Sequence, residues 1–91
     1  MPNLISVDRL LGNKRNEVNF DGIIPVFFDG EQIGVLRHII ETDFFKVVDS
    51  DENPVEAPEF LSFNIDVLPL NPGDRNRVTT VRLYSGANPH A

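Results

Sequence analysis

A chain of 91 residues without cysteine excludes a disulfide framework and any thiolate metal site. Its formal charge of −6 and pI near 4.6 argue against nucleic acid as a partner, since no basic face interleaved with aromatics accompanies them. The longest apolar run, residues 23–28, is too short to span a bilayer, and the first residues lack the basic and apolar stretches of a leader; a cytoplasmic protein, or a component of a larger particle, is expected.

Ser6 can cap a short helix through Val7, Asp8, Arg9, Leu10 and Leu11, closed by Gly12. Leu4, Val7, Leu10 and Leu11 would share its buried face, and two turns need tertiary support to persist. Residues 12–16 read as a loop.

The clearest hairpin joins residues 23–28 to 32–40 through Asp29-Gly30, a pair suited to a type I′ turn. An uninterrupted ladder would set Ile24, Val26 and Phe28 beside Ile33 and Val35. Ile23, Phe27, Leu36 and Ile40 would then occupy the other face. Strands apolar on both faces belong inside a sandwich, in a covered barrel or at an interface. Pro25 lacks a donor and lies near Gly34 across the ladder, which predicts an edge position or a bulge.

Residues 44–48 form a short strand candidate. Residues 49–59 read as a surface loop, with Pro54 and Pro58 keeping it extended and too few apolar residues to hold it in place. Leu61, Phe63, Ile65 and Val67 alternate with Ser62, Asn64 and Asp66, the pattern of a strand with one wet face. A type II turn at residues 71–74 leads to a returning strand over residues 78–84, in which Arg82 can neutralise Asp66.

The whole reads as mostly β: a small single-domain barrel or sandwich of five or six strands with one short N-terminal helix. Residues 1–86 form the domain and 87–91 a flexible tail. Val26, Phe28, Ile33, Val35, Phe63, Ile65, Val67, Val81 and Leu83 are the expected core.

Charge is unevenly placed. Residues 41–59 hold Glu41, Asp43, Asp49, Asp51, Glu52, Glu56 and Glu59 against Lys46 alone, a local −6 that equals the charge of the whole chain. Asp49, Asp51, Glu52, Glu56 and Glu59 therefore form a candidate acidic surface for a partner with a basic site. Asp49-x-Asp51-x-Asn53 resembles the start of a calcium loop, but Pro54 stands where glycine is required and Phe60 where the closing glutamate belongs. No metal is expected. His38 and His90 have no third ligand, and the serines lack a nucleophile-elbow context. Lys14, Arg15, Arg75 and Arg77 could contact an anion if the fold joins their loops.

No cofactor and no enzymatic activity are expected. The composition favours a non-catalytic interaction or assembly protein that self-associates as a homo-oligomer, with Phe27, Leu36 and Ile40 at the interface. The alternative is a small acidic inhibitor or regulator that binds a basic site on a protein partner through residues 41–59.

Overall fold

The computed structural model describes residues 3–69, 73 and 75–89. In chain order they form β1 (Leu4–Ser6), α1 (Val7–Leu11), a 3-10 turn (Gly12–Asn16), β2 (Val18–Asn19), β3 (Ile23–Phe28), β4 (Glu31–Ile39), β5 (Phe44–Val48), β6 (Ser62–Leu68) and β7 (Asn76–Tyr84). Ser6 enters α1 in an extended conformation without a side-chain cap, and Gly12 leaves it at φ 53°. The turn expected at residues 71–74, Gly73 apart, and His90 lie outside the described residues.

The strands make one mixed sheet. β1 pairs antiparallel with β5, β5 with β4, and β4 with β3. β3 then runs parallel to β7. β6 lies antiparallel along the opposite edge of β7, and the short β2 runs parallel to the first residues of β7 on the edge it shares with β3. The mostly-β class with one short helix holds. The sheet is not closed, however, and has seven strands, not the expected five or six in a barrel or sandwich. The additional strands are the shortest, and two or three residues carry no readable alternation.

Asp29 and Gly30 have φ of 49° and 89°, as a type I′ turn requires. The ladder starts in the expected register, Phe28 opposite Glu31 and Phe27 opposite Gln32, and then breaks: Val26 faces Gly34, and Ile33 is the extra residue of a bulge. One inserted residue inverts every later side chain of β4. Leu36 turns inward opposite Ile24, and Val35 turns outward opposite Pro25. Gly34 sits where β4 and β5 press together, because a Cβ there would strike the Val48 carbonyl.

The inner face collects Ile5, Ile24, Val26, Leu36, Phe45, Val47, Val81 and Leu83, with Val7, Leu10 and Leu11 of α1 and Phe60 packed against it. Phe28, Ile33, Phe63 and Ile65 join from the periphery. Two expected core residues do not. Val35 is half-buried on the outer face, and Val67 remains 42% exposed near the end of an edge strand. Arg9 locks α1 to the segment before β6, with its guanidinium 3.8 Å from the Phe60 ring centroid and 3.0 Å from the Phe60 carbonyl oxygen.

The inversion predicts unequal costs for neighbouring truncations. Leu36→Ala should lose about 2–5 kcal/mol, Val35→Ala about 1 kcal/mol or less, and Gly34→Ala about 1–3 kcal/mol through overpacking. Urea denaturation measures all three; equal costs at positions 35 and 36 would contradict the bulge.

Candidate interaction surface

Alternation along β1, β5, β4 and β3 sends Leu4, Phe44, Ile39, Val35, Ile23, Pro25 and Phe27 to the outer face. Arg37 and Lys46 stand on the same face between Leu4 and Ile23, and Val48 on that face is 1% exposed. Leu4, Ile23 and Phe44 are exposed there, and Ile40 projects from the adjoining turn at 79% exposure. Of the expected interface residues, Phe27 lies on this face, half-buried with the Arg82 guanidinium 5.2 Å from its ring centroid. Leu36 is fully buried in the chain's own core at 0% exposure, a consequence of the bulge, and presents nothing to a partner. Phe44 was overlooked, although in the adjacent pair Phe44-Phe45 one ring must point away from the core.

The acidic segment is a built turn. Asp49 Oδ1 accepts the backbone N–H groups of Asp51 and Asn53 at 2.8 and 2.9 Å. Pro54 bridges to Val48, and the Val55 N–H reaches the Val47 carbonyl oxygen at 3.0 Å. The sequence offers too little apolar surface to hold this loop, yet Val55 and Ala57 pack on the core beside Phe60 and supply the anchorage. Glu52 pairs with Arg37 at 2.9 Å. The five candidate acids divide into two groups: Asp49, Asp51 and Glu52 in the turn, and Glu56 and Glu59 in a shallow depression with Leu4 and Arg9.

The best-organised polar cluster was not read from the sequence. Arg15, from the 3-10 turn, grips both carboxylate oxygens of Asp43 and reaches Asp8 at 2.8 Å. His38 Nε2 lies 3.0 Å from Asp43 Oδ1, and its ring packs between Phe20 and Phe45 at centroid distances of 4.9 and 6.0 Å. Asp43 holds φ 58°, so this carboxylate anchors the turn after β4 to α1 and the 3-10 turn. The Arg15 guanidinium, with His38 second, lowers the Asp43 carboxyl to about 2. Asp43 and Asp8 in return raise Arg15.

Arg15 is thereby committed to carboxylates. Arg77 donates to the Asp21 carbonyl oxygen at 3.4 Å, Arg75 is exposed, and Lys14 lines a groove with Glu17 and Asn76. The four candidate anion contacts do not converge on one point.

A cleft of about 610 Å³ opens beyond β7. Arg82 meets Asp66 there at 3.0 Å, the pairing expected from the sequence. Ser85 holds Asp29 through Oγ at 2.7 Å and its backbone N–H at 3.0 Å, which lowers the Asp29 carboxyl. Asn88 bonds to Asn64, so the segment expected to be a loose tail is fastened to β6 at that point. No serine bonds to a histidine among the described residues, and no group of three or more acidic, His or Cys side chains in them could hold a metal ion. No helix of the described residues is long and apolar enough to cross a membrane. Comparison with known proteins finds no matching family model, no matching curated protein and no matching solved structure.

The Asp43 cluster predicts an acid-dependent stability. A carboxyl depressed in the folded state contributes above its unfolded value, near 3.8, and loses that contribution as pH falls toward about 2. Asp43→Asn tolerates the left-handed backbone but cannot ionise. It should be less stable than the parent at pH 7, and the gap should close between about pH 4 and pH 2. Urea midpoints across that range measure it; a gap independent of pH would contradict the cluster.

Proposed function

We propose that this chain is a non-catalytic interaction or assembly protein that associates with copies of itself, as an adaptor or as a subunit of a larger particle. The observation that carries this reading is the exposed apolar side chains of the outer face, Leu4, Ile23 and Phe44, with Ile40 beside them and Arg37 and Lys46 among them. Apolar surface left in water forgoes about 25 cal/mol for each Å² that a partner could cover. Large apolar side chains gathered on one exposed face among polar ones mark an interaction surface in soluble proteins. The polar clusters support the same reading, since the Arg15–Asp43–His38 and Asp66–Arg82 groups are engaged in joining structural elements.

Light scattering over a concentration series tests it. Growth of the average mass with concentration is expected, reduced in Phe44→Lys and Ile40→Lys. A strict monomer at several hundred micromolar (of the order used to detect weak dimers) removes the self-association.

A second reading is favoured by one observation: the turn that carries Asp51 and Glu52 is pre-ordered by Asp49 and leaves Asp51 exposed. A rigid acidic knob suits an inhibitor or regulator that occupies a basic site on a protein partner. Joint neutralisation as Asp51→Asn, Glu56→Gln and Glu59→Gln should slow association with such a partner about tenfold at low salt. An unchanged rate and salt dependence would remove this reading.

A further inference from the structure

The sheet ends in two different edges. At one end, β1 is three residues long and stands beside Glu56 and Glu59. At the other, β6 offers seven residues whose only strand partner among the described residues is β7. Edge strands that avoid pairing carry lysine, proline or inward charges. β6 has none of these: its sequence is SFNIDVL, its single charge, Asp66, is held by Arg82, and the irregularity in its ladder places the extra residue, Thr79, in β7 and leaves the alternation of β6 intact.

The inward side of β6 is also incompletely covered. Phe63 and Ile65 are only half-buried, although they point to the core side, and Val67 is exposed. Between this row and the α1 to β2 segment runs a groove of about 240 Å³, in which Leu11, Val18, Ile65 and Val67 meet Lys14, Glu17 and Asn76. An added strand would cover both the open backbone and the apolar row.

We infer that the occupant is β6 of a second copy, paired antiparallel across a two-fold axis at Ile65, so that two sheets become one. This rests on the self-association proposed above. The strand is self-complementary in that register: Ile65 faces Ile65 of the second copy, Phe63 faces Val67, Asn64 faces Asp66, and Ser62 faces Leu68. All seven residues find partners, an apolar row meets an apolar row, and each carboxylate meets an amide. Moving the axis to Asp66 sets the two carboxylates against each other, which is unfavourable. Charge placement also selects this edge. The acids of residues 41–59 are joined to β4 and β5 and flank β1, so two copies meeting at β6 hold their negative segments apart. Copies meeting at β1 would press those segments together within reach of weakly screened repulsion.

The absence of cysteine gives a clean test. Directly opposed residues of an antiparallel pair lie about 4.5–5.5 Å apart between Cα atoms, within disulfide range. Ile65→Cys should therefore convert to a covalent dimer on mild oxidation, and more readily than Phe44→Cys, since an outer-face contact sets no residue directly opposite its own copy. In sedimentation velocity, Val67→Lys should weaken the dimer at least about tenfold while circular dichroism shows it folded. If Val67→Lys fails to fold, the two cysteine variants decide. Should Val67→Lys dimerise as the parent does and Phe44→Cys cross-link in preference to Ile65→Cys, the β6 edge is wrong and self-association stands. A monomeric parent at several hundred micromolar overturns both.

Discussion

Gly34 has no side chain because the Val48 carbonyl oxygen occupies the space one would need. This contact lets β4 and β5 close together beside the bulge at Ile33, and the bulge decides which half of β4 is core. Pro25 stands opposite Val35 just beyond the bulge, and the β3–β7 ladder begins only at Val26. A residue without an N–H therefore sits where β3 has not yet met β7, and the irregularity is confined to a few residues in the two strands. With β4 in this phase, Leu36 meets Ile24 and Val47 on the inner face, and Val35 meets Pro25 and Val48 on the outer one.

The contrast between the two hairpins shows what was legible. Asp29-Gly30 specifies its turn by local conformation alone, and the strict alternation of residues 61–67 gave β6 almost to the residue; Arg82 followed as the neutraliser of Asp66. Pro25 and Gly34 announced an irregularity but not its direction, so the later half of β4 was assigned to the wrong face, and Leu36 and Val35 exchanged roles. β1 and β2 were unreadable because they are strands only by virtue of β5 and β7. The Arg15–Asp43 pair spans 28 positions, a separation at which sequence spacing carries no information about contact.

The acids of residues 41–59 looked like a uniform surface and are a divided workforce. Asp43 links the turn after β4 to α1 and the 3-10 turn; Asp49 satisfies two backbone donors; Glu52 engages Arg37. What remains open to solvent is Glu41, Asp51, Glu56 and Glu59. Much of the charge is thus structural, while the apolar side chains that one sheet face could not absorb emerge on the other. A helix of five residues can cover only part of one face of a seven-stranded sheet.

β7 follows every other described strand, yet β2, β3 and β6 all pair with it. Until it is present, β2 has no neighbour, β6 has no sheet to join, and β3 has only its hairpin with β4. Synthesised from its N-terminal side, the chain can build the β3–β4–β5 meander early but must hold the remainder open until β7 is made. Native pairing of this kind closes long loops and is slow. A meander that lacks β7 shows both apolar faces to its surroundings, and surface of that kind favours aggregation until β7 pairs.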